Sequence, residues 1–119
     1  MGKRTNAIRA MTVIREIQKG NPEKALDALE KLIRDKPDEP VLLNLKGVCL
    51  GMMGKHEESL NLYEKVLATD PNPPIYWNNK GLATQNLGRF PEAEEAYRQA
   101  LLREPESLEA TYNLANTLQ

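Results

Sequence analysis

One interval of 34 residues organises this sequence. Prolines recur at that step (71 − 37 = 105 − 71 = 34), at Pro37, Pro71 and Pro105. Glycines, small residues and large residues keep the same step, at Gly20, Gly54 and Gly88, at Ala25, Ser59 and Ala93, and at Leu29, Tyr63 and Tyr97. A repeat of this length is typical of a solenoid, in which each helix–turn–helix unit buries its apolar face against the next unit.

The apolar pattern within each repeat predicts two helices, because apolar residues recur every three or four positions. We expect seven helices and no strands, with breaks near Gly20, Gly54 and Gly88 and over residues 36–39, 70–73 and 104–106. The first helix is predicted over residues 5–19, and Asn21 and Ser107 are predicted to cap helices. The predicted fold class is therefore all-α, an α-solenoid of antiparallel helix pairs.

The predicted domain organisation is a single array. Residues 1–5 are expected to form a disordered lead, and the array covers residues 6–119. Its units are predicted over residues 6–39, 40–73 and 74–107, followed by a partial repeat or capping helix over 108–119. The first of these units is the most divergent.

Composition excludes several classes of function. The formal net charge is −1, which favours neither a nucleic-acid partner nor an anionic membrane surface. No apolar run approaches the roughly 18 residues that a membrane-spanning helix needs. A single cysteine, Cys49, cannot form an intrachain disulfide and fits a reducing compartment, so a cytoplasmic location is predicted.

Catalysis is not expected either. His56 is the only histidine and Cys49 the only cysteine, and they lie on different predicted helices with no third orienting group evident. The sequence has no phosphate-binding glycine loop and no cysteine–histidine spacing typical of zinc sites. We therefore predict a non-enzymatic protein without cofactor or metal.

The repeat resembles the tetratricopeptide repeat (TPR) over nearly the whole chain. The match in the third unit is carried by Trp77, Gly81, Gly88, Ala93, Tyr97, Ala100 and Pro105, and in the second by Leu43, Gly47, Gly54, Ser59, Tyr63, Val66 and Pro71. The first unit departs from the pattern, with Arg9 in place of the aromatic residue and Val13 in place of the small one. The resemblance implies a right-handed superhelix in which Gly81 approaches Ala93 and the tyrosines fill the space toward the next unit.

The resemblance also implies a concave groove, formed by the first helix of each unit, that binds a peptide or helix of a partner protein. The groove residues carried over to this chain are Ile14, Ile17, Asn44, Val48, Met52, Asn78, Asn79, Leu82, Gln85, Tyr112, Asn113 and Asn116. One end of this set is apolar and the other is rich in amides, which could pair with the backbone of a ligand. The asparagines could equally be polar residues typical of the family, but we expect the core not to need these side chains.

One binding mode known in the family is not expected. Chaperone-binding TPR domains clamp a C-terminal carboxylate with basic residues, and the matching positions here are Ala10, Ile14, Leu45, Ile75 and Asn79, none of them basic. Lys46 and Lys80 are predicted to pack their stems on neighbours while their ammonium groups reach water.

Two alternatives to partner binding stay open. The last helix, over residues 107–119, has no predicted partner helix, so the chain could form a homo-oligomer through the apolar residues Leu114 and Leu118, or it could be a fragment of a larger TPR scaffold. Repeats of similar size also bind single-stranded RNA. The 34-residue step, the uncharged groove and the net charge of −1 disfavour RNA.

Overall fold

The computed structural model describes residues 2–119, which form seven helices with no strand among them. The helices are α1 (Lys3–Gln18), α2 (Pro22–Asp35), α3 (Pro40–Met52), α4 (His56–Thr69), α5 (Pro74–Asn86), α6 (Phe90–Arg103) and α7 (Leu108–Thr117). Each helix packs against the next, and the stack measures 47 × 25 × 23 Å. The predicted helix count, breaks and all-α repeat class are confirmed.

The same glycine turn joins the two helices of every unit. Gly20, Gly54 and Gly88 have φ of 79°, 79° and 76°, a left-handed conformation that a residue with a Cβ rarely adopts. The next backbone N–H reaches the carbonyl five residues earlier, as in the 2.8 Å bond from Lys55 N to Leu50 O. This turn closes the helix C-terminus and sends the chain back antiparallel.

Helix starts follow the proline pattern. Pro22, Pro40 and Pro74 are the first residues of their helices, where a missing N–H costs nothing. Ser107 caps α7 by accepting a 3.1 Å hydrogen bond from the Ala110 backbone N–H, as predicted. The predicted Asn21 cap is wrong, because its side chain donates instead to Glu16 Oε1 at 3.1 Å.

The expected disordered lead is also wrong where the structure describes it. α1 begins at Lys3, so residues 3–5 are helical, two residues earlier than the predicted start at Thr5. The first turn of a helix needs no apolar residue, and the apolar pattern therefore missed it. Met1 lies outside the described residues.

In the divergent first unit, α1 packs against α2 with a different pair of side chains at its centre. Val13 and Leu29 are both buried in one core cluster. They stand at the positions of Gly47 and Tyr63 in the next unit. Two side chains of medium size, Val13 and Leu29, fill the space that a glycine and a tyrosine ring fill in the later units. The first unit therefore keeps the same pairing of its two helices.

The glycine contact itself differs from the prediction. A Cβ built on Gly81 would meet the ring of Tyr97, with Cδ1 only 2.6 Å away, and one on Gly47 would lie 2.5 Å from Tyr63 Cε1. The close approach is therefore between glycine and the tyrosine of the same unit, rather than between Gly81 and Ala93. The ring lies where a side chain at the glycine position would otherwise be.

Candidate binding groove

The face formed by α1, α3, α5 and α7 is the inner side of the stack. α3 contacts α5 and α5 contacts α7, whereas residues 2–119 show no comparable contact between even-numbered helices. Helices α3, α5 and α7 therefore lie closer together than the even-numbered helices do, as on the inside of a curve. We call this face the groove. Its exposed apolar side chains are Ile14, Val41, Met52, Ile75, Leu82 and Tyr112.

The groove asparagines pair with one another across successive repeats. Asn79 Nδ2 donates to Asn44 Oδ1 at 2.9 Å, and Asn113 Nδ2 donates to Asn78 Oδ1 at 3.3 Å. The acceptors Asn44 and Asn78 are each only 6% exposed. The expectation that the core does not need these side chains is therefore wrong, because the amides join α3 to α5 and α5 to α7.

Gln85 is likewise held by the fold. Its Oε1 accepts a hydrogen bond from the Tyr97 hydroxyl at 2.6 Å. Thr117 Oγ1 lies 3.3 Å from the same oxygen but donates its single proton to the Asn113 carbonyl at 2.9 Å. The carboxamide of Gln85, a predicted ligand-binding residue, therefore links α5 to α6 and contacts α7.

A pocket of about 270 Å³ opens in the groove between α3, α4 and α5. Four predicted groove residues line it: Val48, Met52, Asn79 and Leu82. The other lining residues are Gly51, His56, Ser59, Tyr63, Ala83 and Asn86. We call this cavity the Gly51 pocket.

Sequence reasoning missed most of these additional residues. Aligning the three repeats could have predicted the pocket, because the position of Gly51 is occupied by Ile17 in the first unit and by Gln85 in the third. A glycine between two larger residues at one repeat position predicts a gap.

The remaining predicted groove residues lie away from this pocket. Ile14 is exposed on α1, whereas Ile17 is half-buried against the core cluster of Val13. Tyr112 and Asn116 are exposed on α7. The twelve residues lie on α1, α3, α5 and α7, and only four of them line one cavity.

Charges around the groove are paired with the neighbouring repeat. Lys46 Nζ lies 3.1 Å from Glu30 Oε1, and Lys80 Nζ lies 3.9 Å from Glu64 Oε2. The two lysine side chains are 30% and 23% exposed, as expected for stems that pack on neighbouring residues. These cations are therefore engaged with carboxylates of the preceding unit.

Burial sets the protonation of two groove-side tyrosines. It raises the pKa of Tyr63, with a smaller effect of nearby Cys49, and it raises the pKa of Tyr97, with a smaller effect of Glu109. Both phenols therefore stay neutral and can donate hydrogen bonds at neutral pH.

Within residues 2–119, no group of histidine, cysteine and acidic residues is arranged to hold a metal ion. None of the helices described is long and apolar enough to cross a membrane.

A stack of antiparallel helix pairs with a 34-residue step and this glycine turn defines a tetratricopeptide-repeat protein. Residues 9–118 match the family described as the Psidin N-terminal TPR repeats region, and the chain belongs to this family. No curated protein matches the sequence.

Solved structures of TPR domains superpose on the whole chain. The first TPR of Spaghetti (RPAP3) bound to the HSP90 peptide SRMEEVD has a TM-score of 0.89 at 20% identity, covering 100% of this chain and 94% of that one. The Sgt2 TPR domain from Aspergillus fumigatus has a TM-score of 0.87 at 20% identity, covering 98% and 78%. At these identities the likeness shows the fold.

A further structure is more similar in sequence. The structure of Naa15/Naa10 bound to HypK-THB has a TM-score of 0.79 at 30% identity. It covers 94% of this chain, which spans only 17% of that longer chain. The similarity is therefore to one part of a longer chain.

Proposed function

We propose that this chain is a non-catalytic protein-interaction module that binds a peptide or helix of a partner protein in the groove. The observation that carries the proposal is the row of exposed apolar side chains on the inner face, which includes Met52 at 43% and Leu82 at 36% exposure. The fold leaves these side chains uncovered along one continuous face. An amphipathic helix or an extended apolar segment has the complementary shape and chemistry.

The partner segment is expected to be apolar rather than acidic. None of the twelve predicted groove residues is charged, and the lysines nearest them are paired with Glu30 and Glu64. Binding should therefore depend only weakly on salt concentration. The HSP90 peptide SRMEEVD is rich in carboxylates and has no cationic counterpart in this groove. We expect no saturable binding of that peptide in a fluorescence-anisotropy titration, and micromolar binding would contradict the proposed chemistry.

Photo-crosslinking tests the groove directly. A photoreactive amino acid at Met52 should crosslink a partner in cells that make the protein, and the same label at Phe90, which is exposed on α6, serves as the matched control. Leu82→Glu should suppress the Met52 crosslink because it places a carboxylate in the apolar row. Equal crosslinking from both positions, or a Met52 crosslink that Leu82→Glu leaves unchanged, would overturn the groove assignment.

Self-association is a second candidate, favoured by the leucines at the α6–α7 end. Leu102 is 72% exposed, Leu108 is 85% exposed and Leu118 is 57% exposed. A second copy could cover them. Light scattering should then show a mass that rises with concentration and returns to the monomer value in Leu118→Glu, with Leu82→Glu as the control. A monomer at millimolar concentration would remove this candidate.

RNA binding is the least supported of the three functions. Arg89 is paired with Glu57 at 3.0 Å and Lys65 with Asp38 at 3.7 Å, in addition to the two lysines already described. Basic side chains that are engaged with carboxylates offer little to a phosphate backbone. The predicted cytoplasmic location, inferred from the single cysteine, stays a prediction.

A further inference from the structure

We propose that the Gly51 pocket is a specificity site that binds an amide carbonyl of the ligand, such as that of a glutamine side chain, through the Tyr63 hydroxyl. This inference rests on the proposed function and names the chemistry that one part of the groove recognises. The supporting observation is a comparison of the residues at one repeat position in the three units, which are Ile17, Gly51 and Gln85.

The third unit shows how this position is filled when a side chain is present. There Gln85 places its amide oxygen 2.6 Å from the hydroxyl of Tyr97. One repeat earlier, Tyr63 stands at the position of Tyr97, and Gly51 stands at the position of Gln85. The second unit therefore keeps the phenol donor but lacks the amide that accepts from it.

The Tyr63 hydroxyl lacks a hydrogen-bond acceptor from the chain itself. Tyr63 is 5% exposed and lines the pocket, and among residues 2–119 no side-chain or backbone acceptor pairs with its hydroxyl. The other hydroxyl in the lining, that of Ser59, is already used, since it donates to the Gly47 carbonyl at 2.7 Å. The hydroxyl left for a ligand is thus that of Tyr63, whose oxygen has no partner among these residues and is not fully buried, so it can be reached from the pocket.

The pocket has room for the missing group. A Cβ built on Gly51 would meet only Ser59 Oγ, at 3.4 Å, so the space beyond the glycine is open. The pocket volume of about 270 Å³ equals that of about nine water molecules at liquid density, which accommodates a glutamine side chain. In the first unit, Ile17 occupies the equivalent position, so the opening belongs to the second unit.

The lining favours an amide over its close relatives. Val48, Met52 and Leu82 surround the ligand stem, and Asn79 and Asn86 place carboxamides in the same lining. A hydrocarbon group would leave the Tyr63 hydroxyl unpaired. A carboxylate could accept from that hydroxyl, but it would lose its water in a pocket whose lining includes His56 and no lysine or arginine. An amide can accept from the phenol and donate to a carboxamide oxygen.

Small-molecule titrations followed by NMR test this chemistry without a known partner. The probes are N-acetylglutamine methylamide, its methionine analogue of similar length, and its glutamate analogue. We expect saturable shifts of the Met52 methyl and Asn86 side-chain signals with the glutamine probe, and binding weaker by about fivefold for each of the other two. Absence of binding, or equal binding of the glutamine and methionine probes, would overturn the proposal.

Two variants and one control locate the interaction. Tyr63→Phe should abolish the preference for glutamine over methionine, because only the hydroxyl is lost. Gly51→Gln should abolish probe binding by placing the amide in the pocket permanently. Tyr97→Phe removes the equivalent hydroxyl from the unit in which Gln85 already fills the position, so the preference should persist. A preference retained in Tyr63→Phe contradicts the proposal whether or not Gly51→Gln folds.

These results separate the two proposals. If the Met52 crosslink forms and is suppressed by Leu82→Glu while the glutamine probe shows no preference, the groove function stands and the amide site falls. If the probe preference is found and no partner crosslinks from Met52, the pocket chemistry stands and the assignment of a protein ligand falls.

Discussion

At the scale of single residues, the contact between the two helices of a unit depends on paired volumes. Gly47 faces Tyr63 and Gly81 faces Tyr97, whereas Val13 and Leu29 take these positions in the first unit. The combined volume of the two side chains matters more than the volume of either one. Which substitution is tolerated at one position therefore depends on the residue at the other.

Gly81→Ala tests this contact, with Gly51→Ala, in the last turn of α3, as its control. The new methyl group in Gly81→Ala would overlap the fully buried Tyr97 ring, whereas in Gly51→Ala it meets only Ser59 at 3.4 Å. Overpacking costs about 1–3 kcal/mol and exceeds the helix-propensity gain of about 1 kcal/mol, so Gly81→Ala should destabilise and Gly51→Ala should stabilise. Urea unfolding measures both, and changes of the same sign would contradict the assignment.

Asn79→Ala tests the amide pairs in the groove. It removes the donor to the buried Asn44 Oδ1, so we expect a loss of about 1–3 kcal/mol in the free energy of unfolding. Asn116→Ala, at an exposed position on α7, is the control and should change stability by less than about 0.5 kcal/mol. Equal stability of the two variants would show that the amide pair contributes nothing.

At the scale of helices, several polar links hold each unit to the next. The indole of Trp77 and the guanidinium of Arg103 both donate to the Pro71 carbonyl at 2.7 Å, and Arg103 lies 4.9 Å from the Trp77 ring centre. The carbonyl belongs to the break between α4 and α5, while its two donors lie on α5 and α6. The break between α4 and α5 is therefore part of the packing.

Protection from hydrogen exchange should vary along the stack. α5 contacts α3, α4, α6 and α7, whereas α7 contacts α5 and α6 and fully buries only Ala110. Local opening of α7 uncovers less surface, so its amides should exchange before those of α5. Mass spectrometry after pulse labelling of the monomer reads both helices in one sample. Equal protection of α5 and α7 would contradict this gradient.

At the scale of the whole molecule, stability is shared along a 47 Å stack with three buried tyrosines, Tyr63, Tyr76 and Tyr97. Tyr63 and Tyr97 lie on α4 and α6, each against a glycine of the preceding helix. Ionising either tyrosine hydroxyl would place a negative charge in a closely packed contact. High pH should therefore destabilise the core rather than the surface.

The pH dependence follows from the raised pKa of these two tyrosines. Their contribution to stability is fully present below the unfolded pKa of about 10 and is lost as pH rises toward the higher folded pKa. The free energy of unfolding should fall between about pH 9 and 11. Tyr63→Phe should flatten that fall, while Tyr112→Phe, at an exposed position, should not. If the free energy of unfolding falls equally with pH in both variants, burial of the Tyr63 phenol is not the cause of the fall.

The sequence by itself determined the repeat architecture. Helix breaks at Gly20, Gly54 and Gly88 follow from local chemistry, because a left-handed backbone needs glycine wherever the chain lies. The prolines and Ser107 act within a few residues of themselves in the same way. Periodic apolar positions then specify which face of each helix is buried.

Only the tertiary structure decided which polar groups of the groove are used by the fold. Asn79 meets Asn44 across 35 positions, and Gln85 meets Thr117 across 32, in geometries that no local pattern encodes. The Gly51 pocket likewise exists because a side chain present in the neighbouring repeats is absent there. A repeat pattern predicts which residues share a register, but hydrogen bonds and cavities depend on atoms brought together between helices.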